Sequence, residues 1–332
     1  MKHILATTTA ALGLAGAFSA MAQDRPELVV YTYDSFTSDW GPGPVIEAAF
    51  EAECDCDLTL VGAGDGAALL SRVRLEGANT DADVVLGLDT NLTAAARATG
   101  LFAEAPADLP EPALPIAWDD PVFVPFDWGY FAFVHDTTRL ADAPESLMAL
   151  AESDISVVIQ DPRSSTPGLG LVMWVEAALG DRAPAFWEAI SDNIVTVTPG
   201  WSEAYGLFLD GEAEMVLSYT TSPAYHLIAE DDPTKAAAAF TDGHYMQVEV
   251  AGILAGSDQP ELAADFLRFI ATAAFQSAIP TTNWMYPAFE TGALPEGFDT
   301  LITPETALLL PPEDAAARRE AAIATWRASL SR

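Results

Sequence analysis

The run "ELVVYTYDSFTSDWGPGPVIEAAFEAECDCDLTLVGA", residues 27–63, decides the fold class of this chain. It begins with a short apolar stretch at 27–33, whose composition predicts a buried strand. The segment 44–53 has helical spacing and starts with Pro44, a residue that suits the first turn of a helix. A second strand pattern follows at 57–63. This order of strand, helix and strand predicts a mostly parallel sheet covered by helices.

The same alternation continues after this run and starts again near residue 150. Further along the first unit, the patterns predict a helix at 65–77, a strand at 82–89 and a helix from Asn91 to about Ala98. The second unit shows the same order of elements, with strands at 155–162, 193–200 and 214–221 and helices at 168–179 and 201–211. Two such units predict two α/β lobes with a ligand cleft between them.

Segments outside the two regular units are expected to connect them. The run "FVPFDWGYFAFVHD" (123–136) predicts two strand-like pieces around Pro125-Phe126-Asp127. A long strand pattern at 244–256 is expected to run back toward the first unit, and 260–279 predicts one amphipathic helix. The expected division is a signal peptide at 1–22, a first lobe of 23–130 plus roughly 245–295, and a second lobe of 131–244 plus roughly 296–332.

The first 22 residues have the three parts of a secretory signal peptide. Lys2 gives the basic start, an apolar stretch runs from about Ala10 to Phe18, and Ala20-Met21-Ala22 forms the cleavage site. The apolar stretch is shorter than the roughly 20 residues that a membrane-spanning helix needs. We therefore expect an exported chain that starts near Gln23 and works outside the cytoplasm.

The chain is strongly acidic, with 14 basic and 49 acidic residues and a formal net charge of −35. Such a charge disfavours nucleic acid and anionic lipid surfaces as partners. Solubility is the simpler interpretation of this charge, and steering of a cationic ligand is the alternative. An anionic ligand would have to be bound by local dipoles, because the field of the whole chain repels it.

Two cysteines, Cys54 and Cys56, are separated by one residue. In an exported protein the oxidising compartment favours a disulfide over two free thiols, although so tight a ring is geometrically awkward. A metal site is disfavoured, because no third and fourth ligands follow at the usual spacing.

Two kinds of side chain recur where the predicted strands end, which is where open α/β sheets bind ligands. Hydroxyls beside glycine or proline at 164–168 and 220–223 would place backbone N–H groups near phosphate or carboxylate oxygens. Aromatic rings at the same corners suit a flat heteroaromatic ring and a cation. Each residue also has a plainer interpretation, as a helix cap or as part of the core. Arg163, beside the first hydroxyl cluster, either adds positive charge to the site or forms a surface ion pair.

Enzyme signatures are missing from the sequence. It contains no Gly-x-Ser-x-Gly elbow, no His-Glu-x-x-His, no P-loop and no dinucleotide-binding fingerprint. The histidines that follow the predicted cleavage site are His135, His226 and His244, and no nucleophile accompanies them. His226 adjoins Tyr225 and is the best candidate for a base, but the sequence favours a binding protein over an enzyme.

Several long segments carry a resemblance to a known family: 30–51, 82–89, 123–134, 160–171, 196–209, 216–225, 243–251 and 278–287. They are similar to the periplasmic thiamine-binding proteins of bacterial ABC transporters, over essentially the whole mature chain. The resemblance implies the type II class of periplasmic binding protein, with two α/β lobes of parallel-rich sheets, helices on both faces and a ligand cleft between the lobes. It also implies thiamine, thiamine monophosphate and thiamine diphosphate as ligands, a membrane permease as partner, and a monomer without cofactor or metal.

The family's binding residues map onto matching positions of this chain. The resemblance implies ligand contacts by Asp65, Gly66, Ser165, Thr166, Trp201, Tyr219, Thr220, Thr221 and Ser222, with Tyr33, Tyr225 and Trp284 around the vitamin's rings. The tyrosines would serve the rings, and the hydroxyls with helix N–H groups would serve the phosphate. This chain departs from the family pattern at "VGAGDG" (61–66): the residues before the Asp-Gly pair are small here, whereas the family is expected to have bulkier and more acidic ones.

Two alternative functions stay open on the sequence alone. A ferric-ion-binding protein of the same fold class also uses tyrosines, but it usually has an adjacent Tyr-Tyr pair, whereas Tyr219 and Tyr225 stand six positions apart. A secreted phosphate-ester hydrolase is the second alternative, which turnover of thiamine diphosphate would reveal.

Overall fold

The structure is a computed structural model that describes residues 25–331, so the predicted signal peptide lies outside the described residues. Its strands are β1 (Glu27–Thr32), β2 (Asp57–Gly62), β3 (Val84–Asp89), β4 (Val124–Asp136), β5 (Val157–Gln160), β6 (Ile194–Thr198), β7 (Met215–Tyr219), β8 (Lys235–Ala237), β9 (His244–Ile253), β10 (Tyr286–Pro287) and β11 (Ala307–Leu308). Its α-helices are α1 (Asp34–Thr37), α2 (Gly43–Cys54), α3 (Gly66–Glu76), α4 (Thr93–Arg97), α5 (Leu147–Ala151), α6 (Thr166–Leu179), α7 (Ala183–Ile190), α8 (Trp201–Leu209), α9 (Pro223–Ala229), α10 (Pro260–Ile270), α11 (Ala273–Gln276), α12 (Ile279–Thr282) and α13 (Pro312–Leu330).

The main strands form one continuous path in the order β2-β1-β3-β9-β4-β7-β5-β6. Within each unit, β1 pairs in parallel with β2 and β3, and β5 pairs in parallel with β6 and β7. The long strands β4 and β9 join the units through antiparallel pairs: β9 pairs with β3 and with the first half of β4, and the second half of β4 pairs with β7. Both units therefore share strands that cross between them. The exact lobe boundaries stay a prediction.

Apolar side chains on both sides of this path form the core. One cluster packs α3, α6 and α7 against the sheet, and its largest wholly buried members include Trp174 and Trp187. A second cluster lies under α2 and α10 and contains Phe36, Phe126 and Phe266. Helix α6 is buried along most of its length, which explains its nearly continuous apolar sequence.

Two predicted elements differ from the structure. The segment 123–136 forms one strand, β4, because a register shift between Pro125 and Asp127 lets the chain pass the proline without ending the ladder. The single helix predicted at 260–279 is wrong: α10 ends at Ile270, and two short helices follow. Thr272 takes an extended conformation before α11, and Pro280 suits the first turn of α12, so the chain bends twice.

The C-terminal helix α13 is an element that the sequence patterns did not predict. Its alanine-rich sequence has only weak apolar periodicity. It packs against α6, α7 and α4, and it buries Trp326. Tertiary packing therefore stabilises this helix more than its own pattern indicates.

The two cysteines form a disulfide just after α2. Cys54 and Cys56 are bonded, and their Cα atoms lie 5.1 Å apart. Cys56 is wholly buried in the second core cluster. The bond therefore fixes the turn between α2 and β2.

No single helix within residues 25–331 is both long and apolar enough to cross a membrane. One bent pair, Pro260–Ile270 with Ala273–Thr282, passes that test by length and composition only. In the structure this pair contributes Phe266, Ile270 and Phe275 to the core.

Candidate functional site

A cavity of about 540 Å³ lies beyond the carboxyl ends of the parallel strands. The residues that line it include Tyr33 after β1, Asp65 after β2, Thr166 after β5, Trp201 after β6 and Tyr219 at the end of β7. This is the position where open α/β sheets bind ligands, and the volume falls in the range of small-molecule sites. The strand-end rule therefore locates the cavity correctly.

Most of the predicted binding residues meet at this cavity. Those that line it are Tyr33, Asp65, Thr166, Trp201, Tyr219, Ser222, Tyr225 and Trp284. Gly66 and Ser165 lie in the layer behind them. The Gly66 N–H donates to Thr166 Oγ1 at 3.0 Å, and the Ser165 hydroxyl donates to Asp65 Oδ2 at 2.7 Å. Ligand contact by these residues stays a prediction, although their convergence is a property of the structure.

Thr220 and Thr221 differ from the expectation for the hydroxyl run. Both are wholly buried and lie outside the cavity lining, because the chain turns inward after β7 ends at Tyr219. The Thr221 hydroxyl lies 3.5 Å from the sulfur of Met285. The Thr220 hydroxyl has no hydrogen-bond partner within residues 25–331. Their side chains therefore support the wall, whereas Tyr219 and Ser222 of this run line the cavity.

A pair of buried carboxyl groups that the sequence patterns did not single out lies at the cavity: Glu249 lines it, and Asp127 lies behind the lining. Glu249 on β9 is the direct cross-strand neighbour of Asp127 on β4. The Tyr33 hydroxyl donates to Glu249 Oε2 at 2.9 Å, and the Asn283 amide donates both to Tyr33 and to Asp127. We call Glu249, Asp127, Tyr33 and Asn283 the acid end. Its sequence signal was a charged residue inside each of two apolar strand patterns.

Burial controls the protonation of the acid end. It raises the pKa of Glu249 well above its ordinary value, and the negative charge of Asp127 raises it further. Burial likewise raises the pKa of Asp127 above its ordinary range. Two carboxyl groups so close together cannot both ionise easily in a low-dielectric site. The raised pKa values therefore favour the protonated forms, and a cation that enters the cavity favours release of a proton.

Aromatic rings form the side walls. Tyr225 and Trp284 meet edge to face with ring centroids 5.3 Å apart, and Trp201 stacks on Tyr205 at 4.9 Å. Trp40, which is 55% exposed, lies 6.3 Å from Trp201 at the cavity mouth. Trp284 has a φ of +58°, a strained backbone conformation for a bulky residue, which directs its ring toward Tyr225. Sequence patterns missed Trp40 and Tyr205.

His226 supports this aromatic wall from behind. It is buried, and its Nε2 lies 2.9 Å from the Tyr205 hydroxyl. Its Nδ1 lies 2.6 Å from Glu230, whose other oxygen accepts a hydrogen bond from the Tyr225 hydroxyl at 2.9 Å. His226 does not line the cavity, so its geometry indicates a residue that positions two wall tyrosines.

Another part of the cavity lining consists of helix starts and residues with hydroxyls. Helices α6, α8 and α9 begin here, and the hydroxyl-bearing residues Thr166, Ser202 and Ser222 belong to the lining. We call these three hydroxyls and the first turns of α6 and α8 the donor end. The first N–H groups of a helix carry partial positive charge and suit an anion. The residues that line the cavity include no lysine or arginine.

Asp65 joins the two units at the donor end. Its carboxylate accepts hydrogen bonds from Ser165 and from the backbone N–H of Trp201, at 2.7 and 3.1 Å. Burial raises the pKa of Asp65 to about 6, and these two hydrogen bonds oppose that rise. Next to it, Gly66 cannot carry a side chain, because a Cβ there would lie 2.6 Å from Thr166 Oγ1. The close approach of α3 to α6 therefore requires glycine.

Arg163 lies outside the cavity and pairs with Asp161. Its guanidinium group also lies 5.8 Å from the ring of Trp326 on α13, and its side chain is 58% exposed. Of the two interpretations given above, the structure supports the surface ion pair.

Two α/β units that share crossing strands, with a small-molecule cavity at their strand ends, define a solute-binding protein. Comparison with known proteins supports this class. The family model for "Bacterial extracellular solute-binding protein" matches residues 33–277, and the chain belongs to this family. Within it, the chain is 55% identical to the thiamine-binding periplasmic protein of Escherichia coli (strain K12) over 310 residues, which covers 93% of this chain and 94% of that protein. It is 49% identical to the thiamine-binding periplasmic protein of Brucella abortus biovar 1 (strain 9-941) over 326 residues, covering 97% and 96% of the two chains.

A solved structure supports the same assignment. A structure described as a periplasmic thiamin binding protein matches with a TM-score of 0.90 and 54% identity, over 93% of this chain and 97% of that one. Iron-bound HitA from Pseudomonas aeruginosa matches with a TM-score of 0.75 at 20% identity, over 92% and 99% of the two chains. The second likeness shows the fold alone. The predicted family and the predicted periplasmic binding-protein fold are confirmed.

Proposed function

We propose that this protein binds thiamine and its phosphate esters outside the cytoplasm and delivers them to an ABC permease for import. The observation that carries the proposal is the set of chemistries that meet at one cavity: the buried carboxyl of Glu249 with Asp127 beside it, aromatic walls, and helix starts with hydroxyl-bearing residues. A thiamine phosphate has a flat aminopyrimidine, a cationic thiazolium and an anionic tail. The names of the relatives, thiamine-binding periplasmic proteins, support the same ligand and compartment.

The acid end and the walls suit the organic part of the ligand. The faces of Trp284, Tyr225 and Trp201 offer stacking surfaces for two heteroaromatic rings. A cation near Glu249 favours the ionised carboxylate, because opposite charge lowers a carboxyl pKa. The ligand would therefore displace a proton from the acid end when it binds.

The donor end suits a phosphate in a chain that is otherwise anionic. Thr166, Ser202 and Ser222 line the cavity at the starts of α6, α8 and α9. Their contacts are short-ranged, so they act despite the net charge of −35. The number of phosphate contacts made at the donor end then decides which phosphorylation state binds most tightly.

The remaining parts of the proposal concern partners and alternatives. We propose a monomer that needs no cofactor or metal and catalyses no reaction. The ferric-ion alternative is weaker, because the Tyr225 hydroxyl is engaged by Glu230. The phosphate-ester alternative is weaker, because His226, the candidate base, is buried and does not line the cavity. Membership of the solute-binding family supports delivery to a permease.

Isothermal titration calorimetry of the mature chain with thiamine, thiamine monophosphate and thiamine diphosphate tests the proposal. We expect saturable one-to-one binding of these ligands and no turnover of thiamine diphosphate. Absorbance after incubation with ferric ion is the control, since an iron-tyrosinate complex is coloured. Absence of heat with all three thiamine forms, or a coloured iron complex that thiamine does not displace, would overturn it.

A further inference from the structure

Gln247 is a buried side chain at the cavity whose polar atoms have no partner in the structure. It lies in the middle of β9, is 0% exposed, and lines the cavity. Neither its Nε2 nor its Oε1 forms a hydrogen bond within residues 25–331. Buried amide groups are almost always paired, so an unpaired carboxamide at a ligand cavity indicates a partner that arrives with the ligand.

The backbone around Gln247 holds this side chain toward the cavity. Its cross-strand neighbour on β4 is Gly129, which has no side chain to cover it. A Cβ on Gly129 would lie 2.8 Å from the Met285 methyl group, which also belongs to the cavity wall. Glu249 follows two positions later on the same face of the strand, as the period of a strand requires. Gln247 and Glu249 therefore present a carboxamide and a carboxyl side by side.

A carboxamide offers one donor and one acceptor in a fixed arrangement. A 4-aminopyrimidine edge offers an amino N–H beside a ring nitrogen, which is the complementary pair. Glutamine and asparagine recognise the equivalent edge of adenine by two hydrogen bonds. Other buried oxygens without partners near the cavity, Thr220 Oγ1 and Asp127 Oδ1, do not belong to residues that line it.

We propose that Gln247 is the specificity-determining residue for the aminopyrimidine ring and binds its amino group and adjacent ring nitrogen through two hydrogen bonds. This inference rests on the proposed function, since it names the residue that distinguishes thiamine from analogues with an altered pyrimidine. The thiazolium and the phosphate contribute affinity elsewhere in the cavity. Loss of the 4-amino group should therefore cost affinity only in a protein that has Gln247.

The test compares thiamine with its 4-deamino analogue in the wild-type protein and in Gln247→Met, which keeps the length of the side chain. We expect the wild-type protein to prefer thiamine by about tenfold or more, the effect of roughly one lost hydrogen bond in a buried site. In Gln247→Met this preference should fall to about one. Gln247→Leu provides a second variant with the same expected result. A preference that persists in both variants would overturn the inference.

Stability separates recognition from a structural role. Removing an unpaired buried carboxamide should leave the melting temperature of the free variant unchanged or higher. Gln160→Met is the matched control: Gln160 is also buried and its Oε1 has no partner within residues 25–331, but its Nε2 donates to the Leu217 carbonyl at 2.9 Å and it lies outside the cavity lining. It should lower the melting temperature and keep the wild-type preference. A drop for Gln247→Met as large as that control would contradict the inference, whereas failure of the wild-type protein to bind thiamine would instead refute the proposed function.

Discussion

The acid end and the donor end of the cavity are built in different ways. The acid end joins side chains from distant parts of the chain: Tyr33 follows β1, Asp127 and Glu249 lie on the crossing strands, and Asn283 follows α12. The donor end uses residues at helix starts, where the first backbone N–H groups have no hydrogen-bond partner within their own helix. One end therefore favours positive charge and the other negative charge. This difference should orient a ligand that carries both.

The largest expected effect comes from removing the charge of the acid end. Glu249→Gln should weaken binding of thiamine and of both phosphates by roughly 1.4–4 kcal/mol, because the ligand's cation loses a nearby carboxylate whose pKa it would lower by about 1–3 units. Calorimetry with the three ligands measures this loss. Glu214→Gln is the matched control, because Glu214 accepts hydrogen bonds from Ser156 away from the cavity. Unchanged affinity in Glu249→Gln would remove the acid end from the account.

The raised pKa of Glu249 predicts that thiamine affinity depends on pH, and Glu249→Gln tests this. The carboxyl groups around Glu249 come from every side: Asp127 on β4, Asp89 on β3 and Asp65 before α3, with the Tyr33 hydroxyl after β1. Because the pKa of Glu249 is raised, the free protein holds a proton that a bound cation expels. Thiamine affinity should therefore rise from about pH 6 to pH 8 in the wild-type protein, and this slope should flatten in Glu249→Gln. A wild-type affinity that falls with pH would contradict the proton release.

Removing an aromatic wall should have the next largest effect. Trp284→Ala and Tyr225→Ala should each cost roughly 1–3 kcal/mol, by analogy with base-aromatic stacking. The loss should be equal for thiamine and its phosphates, since all contain both rings. Tyr225→Phe keeps the ring but removes the hydrogen bond to Glu230, so its smaller loss separates stacking from positioning. Losses that depend strongly on phosphorylation would show that Trp284 and Tyr225 contact the phosphate tail rather than the ligand's rings.

Hydroxyl removal at the donor end should have a smaller and selective effect. Thr166→Ala and Ser222→Ala should each weaken binding of thiamine diphosphate by about 1 kcal/mol, the worth of one hydrogen bond, and leave free thiamine nearly unchanged. The ratio of the two affinities, measured by calorimetry, is the readout. Ser71→Ala on α3 is the control, because that hydroxyl bonds its own helix at Ala67. Equal losses for both ligands would show that these hydroxyls only hold the units together.

The helix starts of the donor end were readable from the sequence, whereas the acid end was not. Thr166, Trp201 and Ser222 follow predicted strands directly, so local patterns placed them at one edge of the sheet. Asp127 and Glu249 meet only because β4 and β9 pair across 122 positions, as 249 minus 127 shows. No local sequence pattern predicts which residues of β4 and β9 pair with each other. The same reason explains α13, whose position depends on α6 and α7 rather than on its own sequence.

Salt concentration should have the smallest effect, and it should change the association rates of thiamine diphosphate and free thiamine in different directions. Repulsion between the anionic protein and thiamine diphosphate is screened beyond about 8 Å at physiological ionic strength, whereas contacts at the donor end are shorter. Association of thiamine diphosphate should therefore be unchanged or faster as salt rises, and association of free thiamine should be slower. Stopped-flow tryptophan fluorescence, with Trp201 and Trp284 as reporters, measures both rates. Steep slowing for thiamine diphosphate would indicate a basic capture site and contradict the helix-start account.

The orientation of the bound ligand is the most direct test of the difference between the two ends. A crystal structure of the complex with thiamine monophosphate measures it. The account predicts the phosphate against the first turns of α6 and α8, and the aminopyrimidine beside Gln247 and Glu249. A phosphate next to Glu249, with the rings at the helix starts, would contradict the account.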